Sequence, residues 1–140
     1  MKPKIYMASK LKHFAKWRVL KENRSDFIFT STWFYEAHIE AETEAQGFGS
    51  SAISKEKCEL VWIINDHDVK ICDFLIVYSE ECDRLKGALI EAGLAIAYGK
   101  RVIVVGQNTD YGTWQFHPSV TRVDTIEEAL EHVKFSNRKT

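Results

Sequence analysis

One carboxylate, Glu91, stands among apolar residues in the stretch LKGALIEAGLAIAYGK, which covers residues 85–100. The apolar spacing predicts a helix ending near Gly99, and no residue three or four positions from Glu91 is charged. A buried carboxylate without a partner is costly, and such groups often mark functional sites. Two interpretations stay open: Glu91 serves a ligand pocket, or it lies on a partly exposed side of the helix. Gly87 either leaves room for a ligand or simply starts the helix.

A second acid, Asp73, directly precedes the apolar run FLIVYS at 74–79. Ligands of open α/β sheets bind beyond the carboxyl ends of the strands, so an acid at the start of a strand is more typical of a turn or cap. The nearby NDHD stretch at 65–68 lacks the spacing of metal ligands and suggests a solvated helix end. We therefore expect neither a metal nor a cofactor.

Apolar runs alternate with helical patterns along the whole chain. The predicted strands lie at 4–9, 26–31, 74–79, 101–106 and 121–124. The predicted helices lie at 11–23, 53–71, 87–98 and 126–135. This alternation predicts an α/β fold with a parallel sheet, in one domain over residues 1–140. The polar stretch 35–52 predicts a short helix followed by a mobile loop.

The carboxyl ends of the predicted strands are where a ligand pocket is expected. The segments there are 8–10, 30–36, 78–87 and 106–117. The second contains Trp33, Phe34 and Tyr35, whose rings either stack on a flat heterocycle or pack against the edge of the core. Glu91 would lie close to this pocket, about one turn into the helix that follows the third of these segments.

Composition excludes several functional classes. The chain has 140 residues with a net charge of -1, so no basic surface indicates nucleic-acid binding. No apolar run approaches the roughly 20 residues that span a bilayer, and the first ten residues hold no leader-like segment. We expect a cytoplasmic protein that binds no membrane. Cys58, Cys72 and Cys82 fit no zinc or redox spacing and are expected to be reduced thiols in or near the core.

Several short motifs occur together in a recognisable order: KIYMAS, TSTW, VKICDFLIVYS, GALIEAGLAIAYGKRVIVVG, FHPSV and TIEEAL. In this order the chain resembles the nucleoside 2-deoxyribosyltransferase family, above all its small phage and bacterial members. The similarity covers most of the chain and is least clear over residues 37–57. Its most specific part is a glycine-glutamate-glycine core formed by Gly87, Glu91 and Gly93, followed by Ala95 and the pair at 99–100.

The resemblance implies a flavodoxin-like, doubly wound sheet of about five strands and a homo-oligomer whose subunits share active sites. It implies that Glu91 is the nucleophile and that Asp73 helps to handle the leaving base. Tyr6 and Ser9 match the loop of the first strand that borders the nucleoside. Many relatives carry an aspartate two residues before the motif glycine, where this chain has Leu85.

The remaining site predictions concern substrate contacts. Asp83 is the acid nearest to the missing family aspartate, and Gly87 leaves room for the ligand. Trp33, or the neighbouring Phe34 or Tyr35, is predicted to contact the nucleobase.

Three functions follow as expectations. The first is cleavage of the N-glycosidic bond of 2′-deoxynucleosides, with transfer of the sugar to another nucleobase through a covalent glutamyl-sugar intermediate. The second is hydrolysis of 2′-deoxynucleoside 5′-monophosphates, with phosphate donors from Ser9, Lys10, Lys12 and His13. The third is nucleotide binding without catalysis. The expected partners are a nucleoside or nucleotide and a free nucleobase.

Overall fold

The computed structural model describes residues 1–35 and 55–138. The helix and loop predicted over 35–52 lie, except for Tyr35, outside the described residues.

Five parallel strands form one sheet. They are β1 (Lys4–Ala8), β2 (Ile28–Phe29), β3 (Phe74–Tyr78), β4 (Arg101–Val105) and β5 (Val120–Val123). Their order across the sheet is β2-β1-β3-β4-β5, and every neighbouring pair is parallel. This is the flavodoxin-like order, in which the direction of winding reverses between β1 and β3. The prediction of a doubly wound, five-stranded α/β fold is confirmed.

Four α-helices belong to the described residues. They are α1 (Phe14–Asn23), α2 (Lys55–Lys70), α3 (Gly87–Ala97) and α4 (Ile126–Arg138). Short 3₁₀ turns lie at Leu11–His13, Thr109–Tyr111 and Thr113–Phe116. None of these helices is long and apolar enough to cross a membrane.

Where the predicted boundaries differ from the observed ones, they do so by one to three residues, and two of the differences concern α1 and β2. The helix expected from residue 11 begins as a 3₁₀ turn, and its α-helical part starts at Phe14. The strand expected over 26–31 has only two residues in the ladder. It ends early because side chains after it bond to other segments: Thr30 Oγ1 donates to the carbonyl of Asp68 at 2.9 Å, and Ser31 Oγ accepts from the amide of Met7 at 3.0 Å.

The core lies on both faces of the central strands. Consecutive residues of β1, β3 and β4 are buried, which requires that helices cover the two faces of the sheet. Trp17 is the fully buried residue of α1.

All three cysteines are free; Cys72 is buried and Cys58 half-buried, but Cys82 is exposed, so the expectation of a core position is wrong for Cys82.

Helix α3 connects the core to the predicted pocket. It packs against β1, β3 and β4, and α2 packs beside it. This arrangement brings the residues of α3, the loops after β1 and β3, and one face of α2 to the same edge of the sheet.

Candidate active site

Glu91 is buried inside the fold. The residue is 5% exposed and lies on α3, and the hydroxyl of the buried Tyr6 from β1 donates a hydrogen bond to its Oε2. Burial raises the pKa of Glu91 well above its ordinary value of 4.5, because the charged form loses its hydration. The alternative of a partly exposed helix surface is therefore wrong.

A cavity of about 260 Å³ opens beside Glu91. Its lining residues come from the loop after β1, the segment after β2, helix α2, and the loop after β3 with the start of α3: Ser9, Lys10, Leu11, Trp33, Trp62, Asn65, Arg84, Lys86, Gly87, Ala88 and Glu91. The cavity thus lies at the carboxyl ends of β1 and β3, where the winding of the sheet reverses and open α/β folds bind their ligands.

Three basic side chains line this cavity: Lys10, Arg84 and Lys86. Glu91 is the one acid among its described lining residues. The side chain of Arg84 is 79% exposed and makes only a long ion pair of 3.8 Å with Asp110. Three cationic groups against one acid in the described lining suit an anionic ligand group such as a phosphate.

Two tryptophans form aromatic walls. Trp33 is 5% exposed, and its Nε1 donates to the carbonyl of Met7 at 2.6 Å, which fixes the indole against the core. Trp62 is half-buried and lies beside Gly87. A Cβ added at Gly87 would meet the Trp62 ring at 3.6 and 3.7 Å, so an alanine would fit there in ordinary contact while narrowing the space.

Asn65 is the second buried polar residue at the cavity. It is 3% exposed, and its Oδ1 has no hydrogen-bond partner among the described residues. A buried amide without a partner costs free energy, so a ligand that supplies the missing partner would bind there favourably.

Sequence reasoning missed both Asn65 and Trp62. They lie three positions apart on α2, so they share a helix face. That spacing was visible in the sequence, but it did not show which face of α2 borders α3.

The structure brings Tyr6, Ser9, Trp33, Gly87 and Glu91 together around the cavity. Tyr6 contacts Glu91, and the other four line the space. The Ser9 hydroxyl is engaged within the protein, since it accepts from Trp17 Nε1 at 2.8 Å and donates to the Lys10 carbonyl at 2.9 Å.

Asp73 lies at the other end of the sheet. Its Oδ2 accepts from the amide of Lys4 at 2.9 Å, and its own amide donates to the Lys4 carbonyl at 2.8 Å. These contacts join the amino ends of β1 and β3, away from the cavity. Nothing in this geometry supports a role with the leaving base, and we do not carry Asp73 into the proposed site.

Asp83 is buried beside the cavity and does not line it. Its carboxylate binds His13 Nε2 and Lys12 Nζ, each at 2.8 Å, and accepts from the amide of Glu80 at 2.9 Å. Burial alone would raise the pKa of Asp83, but these bonds outweigh it and lower the pKa to about 2.

Two further residues differ from expectation. Leu85, at the position of the family aspartate, is packed in the core. Asp68 is buried and accepts from Thr32 Oγ1 at 2.7 Å, so the prediction of a solvated helix end is wrong for this residue.

No protein-family model matches the chain, and no curated protein matches its sequence. The solved structures that share its fold include the following two. The CMP N-glycosidase BcmB of Clostridium botulinum is 15% identical, with a TM-score of 0.51 over 96% of this chain and 98% of that one. A conserved protein from Enterococcus faecalis V583 is also 15% identical, with a TM-score of 0.55 over 97% and 99% of the two chains. At this identity the similarity establishes the fold.

Proposed function

We propose that this protein is an enzyme that cleaves the N-glycosidic bond of a nucleoside 5′-monophosphate, with Glu91 as the nucleophile. The observation that carries the proposal is the buried Glu91, held by Tyr6 at a cavity lined by three basic side chains. The activity named for the fold neighbour BcmB, a CMP N-glycosidase, is consistent with this chemistry.

The chemistry has two displacements. An oxygen of the Glu91 carboxylate attacks C1′, the bond from C1′ to the base nitrogen breaks, and its electron pair leaves with the base, which takes up a proton. Water or a second base then attacks C1′ from the face that the first base left, loses a proton, and releases the carboxylate. The sugar carries positive charge in both transition states, which a carboxylate beside C1′ stabilises.

Tyr6 positions the nucleophile. Its hydroxyl bonds to Oε2 of Glu91, and no described residue donates to Oε1. Oε1 is thus the oxygen available to C1′. A hydrogen bond to the carboxylate also favours its ionised form, which opposes the effect of burial.

The three basic side chains of the cavity favour a phosphorylated substrate. Lys10, Arg84 and Lys86 line the cavity, whereas Lys12 and His13, which were also expected to serve a phosphate, bind Asp83 instead. A neutral nucleoside would offer these cations no anionic group.

The base would lie deeper, near α2. Trp33 and Trp62 offer aromatic surfaces for stacking, and the amide of Asn65 can both donate to and accept from a base edge. An amide does not protonate a leaving group at neutral pH, so Asn65 would bind the base without acting as its acid.

Sugar transfer to a second base remains a candidate for one specific reason. Trp33, Trp62, Leu11 and Ala88 give the cavity substantial apolar surface beside Glu91. Such walls restrict water and leave a flat site for an acceptor base. Transfer and hydrolysis share the first displacement and differ in what attacks C1′ in the second.

Product analysis tests the proposal. The protein is incubated with CMP, dCMP, other 5′-monophosphates and the corresponding nucleosides, each with and without a free acceptor base, and products are separated by chromatography. Release of free base from a monophosphate supports the proposal, and a new nucleotide with acceptor identifies transfer. Cleavage of nucleosides alone would refute the role of the phosphate, and binding without cleavage would show a nucleotide-binding module.

A further inference from the structure

We infer that Asp83 is a positioning residue that sets the place of the phosphate-binding cations by joining the two loops that carry them. This inference rests on the proposed function, because it concerns how the same cavity holds a phosphorylated ligand.

The first observation is the pattern of burial along the loop after β3. Asp83 and Leu85 are buried, whereas the alternating residues Arg84 and Lys86 are exposed and line the cavity. The two buried residues therefore hold the loop against the rest of the fold. Each cationic residue comes directly after one of them in the sequence. Because both side chains are long and mobile, the backbone position of the loop determines where their charges can reach.

The second observation is that Asp83 connects this loop to the loop after β1. Its carboxylate binds His13 and Lys12, which directly follow the cavity residues Lys10 and Leu11. The His13 ring in turn packs edge-on against Tyr78 at the end of β3, with 5.1 Å between ring centroids. One carboxylate thus fixes the segment that carries Lys10 relative to the segment that carries Arg84.

The third observation is that the same loop is held from its other side. Asn108 Nδ2 donates to the carbonyl of Asp83 at 3.0 Å, and the amide of Leu85 donates to Asp110 Oδ2 at 2.7 Å. These bonds hold the loop to the segment that follows β4. The bonds to Asp83 lower its pKa to about 2, so the carboxylate is ionised near neutral pH and can bind both partners.

The test measures ligand affinity, which does not depend on turnover. Titration calorimetry is performed on Glu91→Gln protein with CMP and with cytidine as probes. Adding Asp83→Asn is expected to weaken CMP binding by about tenfold, because the cations lose their arrangement around the phosphate, and to leave cytidine binding unchanged. Asn108→Ala, which releases the loop from its other side, is expected to weaken CMP binding in the same selective way.

A matched control separates positioning from general stability. Asp26 is another acid in strong ion pairs, with Arg24 at 3.0 Å and Lys134 at 2.9 Å, and it contributes nothing to the cavity lining. Asp26→Asn is expected to lower the melting temperature without changing either affinity.

The inference is overturned if Asp83→Asn weakens CMP and cytidine binding equally, or weakens neither, or if CMP binds no better than cytidine before Asp83 is changed. Selective loss of CMP affinity on adding Asp83→Asn, together with no base release by the wild-type protein, would retain the inference and refute the glycosidase.

Discussion

Replacing Glu91 by glutamine separates the chemical role of this side chain from its effect on stability. Glutamine keeps the shape of the side chain and can still accept the hydrogen bond from Tyr6. It cannot attack C1′ as a carboxylate does. We expect turnover to fall on the order of 10³-fold or more, as when other enzymes lose a nucleophile.

The change in stability follows from the proton on Glu91. Burial raises the pKa of Glu91 well above 4.5, so over the interval above pH 4.5 the folded protein keeps a proton that the unfolded chain has released. The contribution of Glu91 to the free energy of unfolding of the wild type is therefore highest below pH 4.5. It falls as pH rises through this interval, by up to about 1.4 kcal/mol per pH unit, and this contribution levels off above the native pKa. Glu91→Gln lacks this titration, so as pH rises through the interval its free energy of unfolding increasingly exceeds that of the wild type.

Urea denaturation over a series of pH values measures this difference. The wild type is compared with Glu91→Gln and with Glu131→Gln, which changes an exposed carboxylate on α4. The control is expected to show no such growing difference from the wild type. A constant difference between the wild type and Glu91→Gln at all pH values would refute the raised pKa. Undiminished turnover in Glu91→Gln would refute the nucleophile.

Four further predictions concern the same site. Tyr6→Phe removes the hydrogen bond to Glu91, so we expect turnover to fall roughly 10- to 100-fold and the acidic limb of the pH–rate profile to move to higher pH; an unmoved limb would show that the bond does not stabilise the carboxylate. Asn65→Leu removes a buried amide whose Oδ1 has no partner among the described residues, so the melting temperature should hold or rise while KM increases; an unchanged KM would exclude contact with the substrate. Trp33→Ala and Trp62→Ala should each weaken CMP binding roughly tenfold, since stacking on a base is worth about 1–3 kcal/mol, and calorimetry showing full affinity in both would refute stacking. Light scattering should show at least a dimer, because the family resemblance implies shared active sites, and a monomer at working concentration would contradict this.

The architecture could be predicted from the sequence because its signals are local. The runs FLIVYS and RVIVVG are apolar on consecutive residues, as strands covered on both faces must be, and both form central strands. The length of β2 was overestimated, because the residues after it make non-local bonds. Thr30 Oγ1 donates to the Asp68 carbonyl, and the Met7 amide donates to Ser31 Oγ. No pattern within 26–31 contains that information.

The candidate site was predictable only in part, for the same reason. Glu91 and Gly87 stand out in their own helix, and the strand rule places that helix beside the pocket. Asn65 has no local signal, because an amide on a polar helix is ordinary until α3 packs beside it and buries its Oδ1. Asp73 has a motif position that suggested a chemical role. In the structure its carboxylate accepts a hydrogen bond from the Lys4 amide, at the amino ends of β1 and β3.

Direct detection of the sugar on Glu91 provides the decisive test. Trypsin, which cleaves after Lys86 and Lys100, releases the peptide 87–100, in which Glu91 is the single acidic side chain. The protein is mixed with CMP or dCMP without acceptor, quenched in acid within its first turnovers, digested and analysed by mass spectrometry. We expect this peptide to gain the mass of a sugar phosphate in the wild type and not in Glu91→Gln. An adduct on a different peptide, or base release that continues in Glu91→Gln, would contradict the assignment of Glu91 as the nucleophile.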